Sequence, residues 1–119
     1  MQLIDNIAGL IIDMDGVLWH GNIPMDGLVN FFEVLREKSI PFILATNNAS
    51  LTQTQYVDKL STMGVTVSKK EVLTSSMATA SYLNKHQPRD KRRVFVIGED
   101  GLRQPLIDYG FTLTELYQV

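Results

Sequence analysis

The stretch GLIIDMDGVLWHG, Gly9 to Gly21, decides how the rest of the chain is read. Leu10, Ile11 and Ile12 form a continuous apolar run, which predicts a short strand buried on both faces, as in a parallel sheet. Asp13 follows at once, and Asp15 comes one residue beyond Met14. Carboxylates placed beside buried apolar surface are costly unless something pairs with them. Gly16 supplies a turn directly after the second aspartate. The partner of these two acids must come from elsewhere in the sequence.

Reading onward, WHGNIPMDG has the glycines and proline of a loop. Asp26 is placed to cap a helix through about Lys38, with Leu28, Phe31, Phe32 and Leu35 on one face. Pro41 opens a second apolar run, FILA, which ends at Thr46-Asn47-Asn48. Ser50 or Thr52 then caps another helix, which turns Tyr56, Val57, Leu60 and Met63 inward and ends at Gly64. Strand, helix, strand, helix at this spacing predicts right-handed βαβ units and an α/β fold, a Rossmann-like parallel sheet with flanking helices. A short EVLT segment follows, then a helix from about Ser76 to Lys85, capped by Ser75 or Ser76. The polar stretch KHQPRDKRR reads as a boundary, which divides the chain into 1–88 and 89–119. Beyond it come a strand, VFVIG, a helix from about Leu102 to Tyr109 closed by Gly110, and the ending FTLTELYQV.

The chain has 119 residues, 45% hydrophobic and 20% charged, a normal globular balance. A net charge of −2 gives no general attraction to nucleic acid or to an anionic membrane. Without cysteine there is no disulfide and no thiolate chemistry, and a reducing, cytoplasmic setting is expected. The first apolar run is too short for a signal peptide or a membrane span.

In an open parallel sheet, ligands bind outside the carboxyl ends of the strands. Asp13 and Asp15 leave the first strand there, and Thr46 and Asn47 leave the second. Alone, either cluster reads as a turn or a helix cap. Together, after two strands joined by one crossover, they put two carboxylates, a hydroxyl and one or two amides in one crevice. Such oxygen ligands suit Mg²⁺, which takes one or two carboxylates and leaves its other positions to water and phosphate. One carboxylate could act as a nucleophile and form an aspartyl-phosphate. The second could serve as acid and base. Thr46 and Asn47 could hold the phosphoryl oxygens.

At these residues the sequence resembles a known family. LIIDMDGVLWHG followed by FILATNNAS looks like the first two motifs of the haloacid dehalogenase superfamily of phosphohydrolases. More narrowly it resembles the NagD-like, p-nitrophenylphosphatase-type branch with an α/β cap domain. Trp19 and Gly21, the doubled asparagine, VLTSSMATASYL and VFVIGEDGLRQPLIDYGF carry that narrower likeness. The resemblance implies that 1–88 is the first half of the core and 89–119 the start of the cap domain. It also implies that Asp13 is the nucleophile and a Mg²⁺ ligand. Asp15 would be the general acid/base and would bind the metal through its backbone carbonyl. Thr46 and Asn47 would bind the transferring phosphoryl group, with Asn48 close by, and residues 16–23 would form a flap. The implied substrate is a small phosphorylated metabolite, of sugar phosphate or nucleotide type.

The family also uses a lysine after a later strand and a final acidic motif. Neither is evident: Lys38 ends a predicted helix, Lys59 lies in one, and Lys69 and Lys70 precede a strand. Glu99 and Asp100 superficially resemble the acidic motif, but a helix N-terminus explains them better. The chain therefore reads as the N-terminal part of a longer phosphatase, with an unpaired sheet edge through which it would form a homo-oligomer. His20 and His86 have no partner at metal-ligand spacing. Arg89, Lys91, Arg92 and Arg93 lack an aromatic platform for nucleic acid and read as a solvated linker. Met63, Met77 and the helical aromatics read as core. The rival functions are a receiver-like phosphoacceptor domain and a non-catalytic remnant that binds phosphate or a partner.

Overall fold

A computed structural model of the chain describes residues 6–115. The elements run β1 (Leu10–Asp13), β2 (Trp19–His20), β3 (Ile23–Pro24), α1 (Leu28–Glu37), β4 (Phe42–Thr46), α2 (Gln53–Thr62), a 3₁₀ turn (Lys69–Glu71), β5 (Val72–Thr74), α3 (Ser75–His86), β6 (Arg93–Val94), α4 (Asp100–Asp108) and β7 (Thr112–Leu113). The predicted ending FTLTELYQV falls partly outside the described residues.

The expected parallel sheet is present. β1, β4 and β5 form a three-stranded sheet in that order. Its pairs are parallel, with Asp13 opposite Ala45 and Thr46 opposite Thr74. Two crossovers of the same hand carry α1 and α2 to one face. There Leu28, Phe32 and Leu35 of α1 and Tyr56 and Leu60 of α2 pack with Phe42, Leu44 and Val72.

The other face is more open, and this corrects the two-sided burial expected of β1. Its residues alternate, with Leu10 and Ile12 half-buried and Ile11 83% exposed. Leu73 of β5, on the same face as Ile11 by register, is 43% exposed. A continuous apolar run cannot tell one covered face from two, because the cover comes from elements distant in sequence. Among the described residues β1 has β4 as its strand partner and nothing on its other edge.

The helix starts follow the local sequence signals only in part. Thr52 caps α2 in a full capping box: its hydroxyl accepts from Gln55 N–H, and Gln55 accepts from Thr52 N–H. Asp26 does not cap α1. Gly27 takes that place at φ 81°, so the helix entry is set by a left-handed backbone and not by a side chain. Thr74 caps α3 in place of Ser75 or Ser76. Phe31 is 37% exposed and Tyr82 62% exposed, so neither is core.

β6, α4 and β7 make a second, smaller assembly. Val94, Val96, Leu102, Leu106, Phe111 and Leu113 pack against Ala80 and Leu83 of α3. Of the strand predicted over VFVIG only Val94 is in β6, Arg93–Val94, which starts one residue earlier and pairs with the two-residue β7. Ile97 is 85% exposed. The basic stretch before it is not wholly solvated. Arg92 donates to Asn84 Oδ1 (2.8 Å), Tyr109 O (3.0 Å) and Asn84 O (3.2 Å), and its guanidinium lies over the Phe111 ring. It ties the end of α3 to the end of α4.

Arg36 of α1 reaches Glu71 bidentately, at 2.7 and 2.8 Å. Glu71 also accepts Ser68 N–H at 3.0 Å, closing the 3₁₀ turn that leads into β5. The Arg36 hydrogen bond holds the Glu71 carboxyl below its ordinary value of 4.5. A carboxylate with a lowered folded pKa stabilises above its unfolded value, and that contribution fades as pH falls through the folded one. Glu71→Ala is expected to destabilise by about 1–2 kcal/mol at neutral pH, a figure kept small by the exposure of Arg36. The gap from wild type should narrow in urea titrations as pH falls below the ordinary carboxylate range. A pH-independent gap would contradict this.

Candidate active site

The carboxyl ends of β1 and β4 lie side by side because parallel pairing puts Asp13 against Ala45. Beyond β1 the chain does not run straight on. Val17 N–H and Leu18 N–H both bond to Met14 O, and Gly16, at φ 80°, donates its N–H to Trp19 O. This tight turn brings Asp15 back beside the end of β4. There Asp15 Oδ2 accepts from Thr46 Oγ1 at 3.4 Å and from Asn48 Nδ2 at 3.5 Å. Thr46 Oγ1 in turn accepts Asn48 N–H at 3.0 Å. Asp15 Oδ1 accepts the Trp19 indole N–H at 3.0 Å.

Asp13 stands apart from that network. Its carboxylate is exposed, and Oδ1 accepts the N–H of Met14 at 2.9 Å. It lines a shallow cleft of about 520 Å³ with Ile11, Thr46, Asn47, Thr74 and Ser75. Thus the structure draws Asp15, Thr46 and Asn48 into one hydrogen-bonded group and sets Asp13 and Asn47 on the cleft beside it. A larger groove of about 1080 Å³ lies elsewhere, between α3, α4 and the start of α2. It contains none of these five residues, and size alone does not make it the reactive site.

Three contributors escaped the sequence reading. Ser75, at the end of β5, donates to Asn47 O at 3.3 Å and shares the cleft. The Thr-Ser pair after the third strand was a usable signal, since it lies on the same sheet edge. Tyr56 is fully buried against Trp19 and donates to Asn48 O at 3.4 Å. Burial pushes its hydroxyl up, against a downward pull from Thr46. Lys59 donates to Gly21 O at 2.9 Å and lies over the Trp19 ring. No local pattern announces that contact.

Residues 16–23, expected as a flap, supply all but Pro24 of a small antiparallel pair, Trp19 with Pro24 and His20 with Ile23. Glu99 and Asp100 begin α4, after a strand that belongs to a different sheet from β1. They do not extend the edge that carries Asp13. Glu99 occupies the N-cap position without a side-chain capping bond, and Asp100 sits in the first turn.

The donors at the cleft are oxygens, the hard ligands that Mg²⁺ prefers. Among the described residues no three His, Cys, Asp or Glu side chains gather to cage a metal. Mg²⁺ is commonly held by one or two carboxylates plus phosphate and water. Asp13 and the Asp15 backbone fit that sparser mode. Both Asp15 carboxylate oxygens accept hydrogen bonds from protein groups, while the exposed Asp13 carboxylate could serve as a direct ligand.

Comparison with known proteins follows the same lines. The sequence profile of the haloacid dehalogenase-like hydrolases matches residues 10–112. The chain is 39% identical over 111 residues to phosphoglycolate phosphatase 1A, chloroplastic, of Arabidopsis thaliana, covering 92% of this chain and 30% of that protein. It is 34% identical over 110 residues to ribonucleotide monophosphatase NagD of Escherichia coli, covering 92% and 43%. The crystal structure of 4-nitrophenylphosphatase from Thermotoga maritima superposes with a TM-score of 0.84 at 36% identity, over 96% of this chain and 43% of that one. The chain thus spans well under half the length of these relatives.

Proposed function

The chain belongs to the haloacid dehalogenase-like hydrolases, and on that premise we propose that its site serves Mg²⁺-dependent hydrolysis of phosphate monoesters through an aspartyl-phosphate. The observation that supports this most is the meeting of two strand ends. An exposed carboxylate, Asp13, leaves the same strand end as a second carboxylate, Asp15, that accepts from Thr46 and Asn48 of the neighbouring strand end.

In the first step an Asp13 carboxylate oxygen attacks phosphorus in line, and the bond from phosphorus to the alcohol oxygen breaks. Asp15 gives its proton to that leaving oxygen. In the second step Asp15 takes a proton from water as it attacks the aspartyl-phosphate, releasing inorganic phosphate and restoring Asp13. Thr46 and Asn47 bind the phosphoryl oxygens from the rim of the cleft. Asp13 and the Asp15 backbone carbonyl would hold Mg²⁺, which when bound offsets the charge of the phosphoryl group.

The named relatives act on dissimilar phosphates, a glycolate ester and a ribonucleotide among them. What such substrates share is the phosphoryl group, and that is the part the Asp13 cleft is suited to grip. A small phosphorylated metabolite of sugar phosphate or nucleotide type fits this reading.

The test is p-nitrophenyl phosphate hydrolysis with Mg²⁺ and after its removal by chelation. Turnover is expected to fall to background without the metal and to return when it is restored. Equal turnover with and without divalent cation would contradict the proposal. Negligible rates throughout, with phosphate still bound, would favour the non-catalytic remnant.

A further inference from the structure

Trp19 occupies an unusual place beside the reactive residues. It is a large aromatic residue, only 1% exposed, at the start of the hairpin that follows Asp15. Its indole N–H makes the shortest side-chain hydrogen bond to the Asp15 carboxylate, 3.0 Å against 3.4 and 3.5 Å from Thr46 and Asn48. The two bonded sides of that carboxylate therefore differ. Oδ2 has two long contacts, while Oδ1 has one well-formed donor from a rigid ring. A carboxylate turning about its Cβ–Cγ bond is held chiefly by that donor.

The ring itself is fixed from several sides. Its backbone carbonyl accepts Gly16 N–H at 2.8 Å, so main chain and side chain both close the turn that carries Asp15. Tyr56 of α2 lies nearly parallel to the indole, with centroids 6.3 Å apart. Lys59, one helical turn further on, places its ammonium 4.5 Å from the ring centroid and donates to Gly21 O at 2.9 Å. A cation over an indole face is attracted by the ring quadrupole. Here the same cation also fastens the tip of the β2–β3 hairpin, where Gly21 turns at φ 60°.

We propose that Trp19 is a positioning residue for Asp15, and that Lys59 holds Trp19 and the hairpin tip in register with α2. This rests on the reading of Asp15 as general acid/base. Trp19 does not touch the phosphoryl group. It fixes the direction from which Asp15 reaches the leaving oxygen. α2 is the next helix after Thr46, Asn47 and Asn48, and its Tyr56 donates to Asn48 O, so Lys59 ties the hairpin to the element that also contacts the proposed phosphate-binding segment.

Trp19 is the chain's sole tryptophan, so one indole resonance in a ¹H–¹⁵N spectrum reports its N–H without ambiguity. In Asp15→Ala that resonance should shift and exchange faster with solvent, and in Lys59→Met it should shift less. In p-nitrophenyl phosphate turnover, Trp19→Phe keeps a ring but loses the donor. It is expected to lower kcat about tenfold while KM stays within about twofold, as misaimed acid/base groups do. Lys59→Met should lower kcat by about threefold, and Lys59→Arg should restore it. Wild-type kcat in Trp19→Phe, or a loss carried entirely by KM, would overturn the inference. An indole resonance unmoved by Asp15→Ala would overturn it as well, and this readout needs neither turnover nor a folded Trp19 variant. A wild-type chain without turnover defeats the functional reading, while the indole resonance still decides the Trp19–Asp15 contact.

Discussion

Asp13→Asn is expected to reduce phosphatase turnover by about 10⁴-fold or more, because in the proposed mechanism it removes the atom that attacks phosphorus. The substitution is nearly isosteric. Asn retains an Oδ1 that can accept the Met14 N–H, and Asp13 is exposed, so folding should be little affected. Thermal unfolding within about 2 °C of wild type would show that the loss is chemical and not structural. The companion Asp15→Asn keeps the nucleophile but loses the proton donor and base. It should slow both steps, with release of the phosphoryl group from Asp13 becoming limiting. Asp13→Asn turning over within tenfold of wild type would remove Asp13 from the nucleophile's role.

The second large effect concerns stability. Gly101 opens α4 against the loop after Asn48, donating its N–H to Ser50 O at 3.3 Å. A Cβ there would fall 2.3 Å from Ala49 O and 2.5 Å from Leu51 O. Both are backbone atoms, so no rotamer change relieves the overlap. Gly101→Ala is therefore expected to cost about 3 kcal/mol and lower the melting temperature by roughly 10 °C or more. Gly98→Ala is the matched control. Its Cβ meets Leu102 Cδ2 at 2.7 Å, the movable end of a side chain, and the cost should stay below about 1 kcal/mol. Equal melting temperatures for wild type and Gly101→Ala would show that α4 does not seat on loop 49–51 in solution. The contact also joins the smaller β6–α4–β7 assembly to the loop that follows Asn47 and Asn48.

The sheet and the polar ends of its strands were legible in the sequence for a physical reason. Two apolar runs, one helical crossover and polar residues at both run ends leave a single parallel arrangement, and Asp13, Asp15, Thr46 and Asn48 fall at its edge accordingly. Thr52 was readable because a capping box is a local pattern of four residues. Long-range facts were not readable. Ile11 looked buried, and only the placement of both crossover helices on one face leaves it exposed. Arg92 looked like part of a solvated basic run, yet folding brings Asn84, Tyr109 and Phe111 around it. Lys59 and Gly21 are 38 positions apart, and nothing in either neighbourhood signals the other. The caps expected at Asp26 and at Ser75 or Ser76 lie elsewhere. Gly27 with a left-handed backbone and Thr74 at the strand's end took those positions, since several residue types there could have served.

In the proposed mechanism a phosphoryl group passes through Asp13. The most direct measurement of this step is chemical trapping: rapid acid quench of the chain with Mg²⁺ and a small phosphodonor, reduction with borohydride, and peptide mass spectrometry. Reduction converts an aspartyl-phosphate into homoserine. Homoserine at position 13, enriched in Asp15→Asn and absent from Asp13→Asn, is the predicted result. Turnover of the phosphodonor with position 13 unmodified, or with the modification on another residue, would contradict the account.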